Sequence, residues 1–304
     1  MPVTSVPASH AELAVSAALR ENHWSVASIY GLAALALALV YVPVLIGLGS
    51  DWVTNPNYSH GFIIPFAVAY IVWLQRERLR KLPVRPRRWG LALALLAMAE
   101  YFVGYLGAEF FLQRTSLLLL IAAGLLYVYG AAHLRAHLFS LTLIFLAIPL
   151  PELIFNAIAF PLQLLASSWA AGLLSACGIP VFRQGNILLL PQRTLDVAEA
   201  CSGIRSLFSL ITLAMLVVYF IPSRFWVKLA IVLSAVPIAL CTNAGRIAAT
   251  GLIGRWFGAQ YSEGFFHAFS GWLIFLVAFL ALLGEASLLR RYGGRSHRGP
   301  GEPA

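Results

Sequence analysis

Charge is scarce in this sequence. Only 11% of its 304 residues are Asp, Glu, Lys or Arg, while 60% are hydrophobic. A soluble domain carries about 25% charged and about 45–50% apolar residues. So few charges cannot clothe a water-facing surface, and a mean hydropathy of +0.82 points to an integral membrane protein instead. Acid is scarcer than base, with 12 Asp and Glu against 21 Lys and Arg. In a chain this apolar, the excess of base reads as cytoplasmic loop charge and not as a nucleic-acid surface. Cysteine is scarce too. Cys177, Cys201 and Cys241 are the only three, which excludes a disulfide framework and leaves at least one thiol unbridged. No fixed-period repeat and no low-complexity linker is present. Nor is there a signal-peptide pattern: residues 1–26 are mixed and weakly amphipathic, and the first apolar run, 27–49, is longer than the roughly 7–15 residues of a signal core. That run is expected to be a retained span.

What is present is a series of apolar runs. A spanning helix needs about 20 mostly apolar residues. Runs at 27–49, 61–75, 90–108, 115–132, 138–158, 203–221, 227–245 and 268–289 meet or approach that length. The expected fold is therefore an all-α integral membrane protein of about eight transmembrane helices. Its parts would be a cytoplasmic tail (1–26), a multi-span domain (27–290) and a second cytoplasmic tail (291–304). Basic residues concentrate in "RERLRKLPVRPRR" (76–88), in "SRFWVK" (223–228) and after Leu289. Fifteen of the 21 Lys and Arg fall on that side, which puts both termini in the cytoplasm. The role of 76–88 is then topological. Segment 138–177 has two readings. Either a span kinked by Pro149 and Pro151 ends near 158 and an interfacial helix follows, or 159–177 is a ninth span that would export the C-terminal tail. The charge rule favours eight. Between 178 and 200, glycine, proline and short β-branched stretches predict a small strand or hairpin on the outer face.

This topology sorts the reactive groups. Cys201 falls at the outer mouth of the sixth span, Arg246 at the outer end of the seventh, and His267 at the outer start of the eighth. A thiol at a helix N-terminus feels the positive end of the dipole, which favours thiolate. Ser202 and Gly203 are small enough for a carbonyl to approach backbone donors, as an oxyanion site requires. A guanidinium near the membrane is costly and rarely idle. An imidazole can pass a proton to a leaving amine. Together they make a nucleophile, an electrostatic stabiliser and an acid/base. Glu199 and Asn243 stand beside this set as supporting residues. Asn243 is three residues before Arg246, on the same helix face. Ser270 opens space beside His267, and His60 in "YSHGF" reads as a structural or docking histidine. The plain alternatives are a cysteine filling apolar space, a snorkelling arginine and a hydrogen-bonded interfacial histidine. Cys177 and Cys241 read as such fillers, and a Cys177–Cys201 disulfide is a further alternative. Cys201, Glu263 and His267 lack a metal-ligand spacing, so neither a metal nor a cofactor is expected.

"EACSGIRSL" (199–207), "NAGRI" (243–247) and "HAFSGW" (267–272) resemble the exosortase/archaeosortase family, as do "NYSHGFIIPFAVAYIVW" (57–73) and "RQGNILLLP" (183–191). The resemblance spans about 57–290, and its flavour is bacterial. It implies a membrane-embedded cysteine peptidase or transpeptidase with Cys201 as nucleophile, Arg246 as stabiliser and His267 as proton-transfer residue. The partners it implies are exported proteins whose C-terminal sorting signal joins a Pro-Glu-Pro-type motif, a transmembrane helix and a basic cluster. They would be processed at the periplasmic face of the cytoplasmic (inner) membrane. A transporter or a thiol-relay acyltransferase is the competing class. A transporter usually shows internal repeats or paired broken helices at midplane, and none is visible.

Overall fold

The computed structural model describes residues 31–32, 35–191, 193–197, 203–258 and 265–292. Among these, eight helices are long and apolar enough to cross a membrane. Helix α1 is Leu35–Thr54. A 3-10 turn, Pro56–Phe62, leads into α2 (Ile64–Arg80), followed by α3 (Trp89–Leu106), α4 (Phe110–Val128), α5 (Ala131–Leu146) and α6 (Glu152–Ala176). Three strands, β1 (Phe182–Gln184), β2 (Ile187–Leu190) and β3 (Arg193–Asp196), precede α7 (Gly203–Phe220), α8 (Phe225–Trp256) and α9 (Phe265–Tyr292). The chain divides into residues 1–47 and 48–304. The first unit contributes, among the described residues, the opening turns of α1. All that follows concerns the second.

The helices turn large apolar side chains outward: Phe66, Leu95, Phe102, Leu233, Trp272 and Leu280 are all more than half exposed. Such a surface is unstable in water and matches lipid. This is a multi-pass membrane protein, mostly helical as expected.

Helix α5 has only 16 residues, yet its contacts carry it across the bundle. At its start, Arg85 N–H of the basic segment donates to the Tyr129 carbonyl at 3.0 Å. At its end, Trp52 Nε1–H donates to the Ala147 carbonyl at 2.8 Å, and Leu150 N–H donates to Tyr58 Oη at 3.1 Å. So α5 joins the level of segment 76–88 to the level of residues 52–60, the same two levels that α2 joins in the opposite direction.

The expected kinked span over 138–158 is corrected here. The helix stops at Leu146. Proline at 149 and 151 cannot donate a helical N–H, and a new helix begins at Glu152 with Pro151 extended before it. Helix α6 is then one continuous element of 25 residues, not a span end followed by a separate interfacial piece. Its direction is the more informative fact. Phe155 packs 6.1 Å from Tyr58, centroid to centroid. Further along, Ala159 joins the core with Ala239, Ala166 and Ala170 pack with Ile247 and Ala248, and Leu174 lies over Gly251. Both numbers rise together, so α6 runs parallel to α8 and away from the basic segment. Length alone marks α6 as a span and α5 as too short, but the contacts reverse that assignment. The expected number of crossings stands at eight, with α5 in the place given to 138–158.

The predicted strand region is a three-stranded antiparallel sheet in the order β1-β2-β3, with Leu188 opposite Arg183 on one side and Leu195 on the other. Leu188 and Leu195 are buried against Ala170 and Leu174 of α6 and Ile247 of α8. The sheet thereby sits over the α6–α8 seam, just before Cys201 in the sequence.

Candidate active site

Glu199, Cys201 and Ser202 lie outside the described residues. Their neighbour Gly203 opens α7 and is fixed against α8. A Cβ built at Gly203 would stand 2.6 Å from Asn243 Nδ2 and 2.7 Å from its Cγ. Real Cβ atoms do not approach so closely, so only glycine lets α7 begin on top of Asn243. Asn243 itself is buried at 6% exposure, midway along the 32-residue α8.

One turn further along α8, Arg246 turns toward α9. Its guanidinium carbon lies 3.7 Å, and Nη1 3.5 Å, from where a Cβ on Gly271 would be, an ordinary packing distance. Gly271 is one helical turn past His267. His267 and Ser270 belong to the first turns of α9 by backbone, and their side chains lie outside the description. Thr250 Oγ1–H donates to the Arg246 carbonyl at 2.9 Å, which removes a competing polar demand from the helix.

His60 is elsewhere. It is 9% exposed, its ring is stacked at 7° and 6.4 Å on Phe208, and its Nε2 lies 3.3 Å from the Leu146 carbonyl. A carbonyl only accepts, so that bond requires the proton on Nε2. Histidine here ties the 3-10 turn to the end of α5 and to the second turn of α7. Cys177 and Cys241 are both free thiols at the surface, where the sequence reading has them as packed fillers. In a membrane bundle an apolar side chain meets lipid as readily as core, so exposure does not make them reactive.

Two features escaped the sequence reading. A small pocket of about 20 Å³ lies where α6, α7 and α8 meet, lined by Ala159, Leu162, Gln163, Ile204 and Asn243. Nothing in the local pattern announces it, because α6 reaches the site only by its direction. The second is Arg205, an exposed guanidinium in the first turn of α7. Its position four residues after Cys201 in the sequence was the available signal.

Taken as a class, this is a polytopic helical membrane protein that gathers small and polar residues from three helices at one end. The profile of the family described as Transmembrane exosortase (Exosortase_EpsH) matches residues 52–284, and the chain belongs to that family. No curated protein and no solved structure matches it. Membership makes it, at family level, a membrane-embedded sorting-signal processing enzyme.

Proposed function

We propose that the chain is a cysteine peptidase or transpeptidase that cuts the C-terminal sorting signal of exported proteins at the outer, periplasmic face of the cytoplasmic membrane. The observation that carries this reading is the threading of α8 between the starts of α7 and α9. Asn243 lies against Gly203, two residues past Cys201, and Arg246 lies against Gly271, one turn past His267. A single helix face thus links the neighbourhoods of the thiol and the imidazole.

In the reaction, the Cys201 thiolate attacks the carbonyl carbon of the scissile peptide. A C–S bond forms and the carbonyl electron pair moves onto oxygen. The Arg246 guanidinium and the backbone donors at the start of α7 offset that charge. As the tetrahedral species collapses, the C–N bond breaks and the amine leaves with a proton from His267. The released fragment is the substrate's own transmembrane helix and basic tail. Water or an acceptor amine then attacks the thioester, giving hydrolysis or transpeptidation, and Cys201 is restored. Asn243 orients the guanidinium or the substrate carbonyl.

The test is a tailed reporter bearing a Pro-Glu-Pro-type motif, a transmembrane helix and a basic cluster. Expressed with this chain, it is shortened, and hydroxylamine releases it from a transient adduct on Cys201. With Cys201→Ala the reporter stays full length while the enzyme still inserts. Continued cleavage by that variant removes the reading.

A further inference from the structure

At the end of the bundle away from the candidate site, α7 and α9 both finish beside a cleft. Its volume is about 540 Å³, and its walls are Ile221, just past α7, and Leu283, Ala286, Ser287, Arg290 and Arg291 of α9. Sites of about 300–1,000 Å³ hold small molecules. The five residues of α9 fall at helical spacing, so they share one face. That face changes from apolar (Leu283, Ala286) through a hydroxyl (Ser287) to two guanidiniums as the 21-residue span Gly271–Arg291 ends. Both arginines are exposed, while Ala286 is buried in the core. Glu285 lies on the opposite side of α9 by register, with its Oε2 buried.

The neighbouring chain sets the depth of this cleft. Ile221 leads through a short turn into α8, which opens with Phe225 and Trp226, both more than two-thirds exposed. Exposed aromatic side chains at a span end mark the headgroup level of a bilayer. The cleft therefore has an apolar floor in the hydrocarbon layer and a basic rim among the headgroups. Snorkelling and membrane orientation account for basic residues at this end, but not for a cleft with an apolar floor beneath them. A free phosphate has no use for that floor. An acidic phospholipid uses both parts: its phosphate accepts from the guanidiniums, and an acyl chain lies along Leu283 and Ile221.

We propose that this cleft binds an anionic phospholipid of the cytoplasmic leaflet, with Arg290 and Arg291 holding the phosphate and the apolar floor holding the start of an acyl chain. The proposal rests on the sidedness of the bundle and not on the peptidase reading.

The experiment uses the full chain purified in a neutral detergent. Phosphatidylglycerol is titrated in and its binding followed by native mass spectrometry, with phosphatidylcholine as the zwitterionic reference. Phosphatidylglycerol is expected to bind tightly and to raise the melting temperature, and phosphatidylcholine to do neither. Arg290→Gln together with Arg291→Gln weakens the binding by about thirtyfold, roughly fivefold for each basic residue at a membrane surface. The paired lysine variant keeps the charge but not the forks and falls between, which guards against misfolding of the glutamine pair. Ser287→Trp fills the cleft from an exposed position, leaves both arginines in place and also removes the tight site. Arg87→Gln with Arg88→Gln, an exposed adjacent pair in the basic segment, removes the same charge and leaves binding at the wild-type level. Equal loss in that control, or tight binding that survives Ser287→Trp, makes the effect one of general surface charge and overturns the site. Equal binding of phosphatidylcholine overturns it too, as does displacement of the lipid by inorganic phosphate at comparable concentration, the mark of a soluble-anion site.

Discussion

Gly203 and Asn243 show how one missing side chain positions chemistry. With no Cβ, α7 starts in contact with the Asn243 amide, one turn of α8 before Arg246. Gly203→Ala forces a collision with a buried side chain, and overpacking of this kind costs about 1–3 kcal/mol. The expected outcome is a lower melting temperature in detergent and a larger loss of reporter cleavage than any stability loss explains. Full activity would mean that the contact does not position the nucleophile. At position 246, lysine keeps the charge but not the fork of donors, so Arg246→Lys is expected to be nearly as damaging as Arg246→Ala. A lysine variant cutting at the wild-type rate would show that charge alone suffices. His267→Ala should lose about 10²–10⁴-fold, the usual worth of general acid–base catalysis. His60→Ala should instead lower stability, because its ring fills the seam on Phe208 and bonds the end of α5. Cleavage by the two variants at matched membrane levels separates them, and a dead His60 variant beside a healthy His267 variant reverses the roles.

Among the elements, the break between α5 and α6 decides most about the architecture. Proline at 149 and 151 stops the helix, and the bonds of Trp52 and Tyr58 hold the broken strand of chain at the level of residues 52–60. Because α6 then runs with α8, both of its ends lie on the same side of the basic segment. Labelling with a membrane-impermeant thiol reagent checks this. Glu152→Cys and the native Cys177 are expected to react from one side, and Val84→Cys from the other. Labelling of positions 152 and 177 from opposite sides would make α6 a true crossing. A polar pair holds the same region: Arg114 Nη2 lies 2.6 Å from Asp51 Oδ2, with the arginine buried. Arg114→Ala leaves a charged carboxylate unsatisfied beside apolar helices. Asp51 keeps some contact with solvent, so the expected loss is about 1–3 kcal/mol, read as a drop in melting temperature.

For the whole molecule, the sidedness of the chain ties the candidate chemistry to its substrate. With α5 as the crossing element, the sheet, the start of α7 and the far half of α8 fall opposite the basic segment 76–88. A reporter fused after Arg291 is expected to score as cytoplasmic, and a periplasmic score would require an odd number of crossings. Under the proposed function, a substrate helix would arrive sideways through lipid along the exposed apolar belt of the bundle, with its cleavable motif at the level of Gly203.

The sequence by itself determined the class of protein, the number of crossings, the strand region and the family, because hydropathy, charge asymmetry and short motifs are local properties of the chain. It also singled out Asn243, Arg246 and Gly203 as residues of one site. It did not determine which apolar segment crosses. Helices α5 and α6 differ in length in the misleading sense, and only their contacts with residues 52–60 and with α8 tell a traverse from a parallel neighbour. Nor did it show that Gln163 of α6 lines a pocket with Asn243. Such facts depend on the direction and register of packed helices. Those are set by where side chains are missing, as at Gly203 and Gly271, and by long-range bonds that no window of sequence contains.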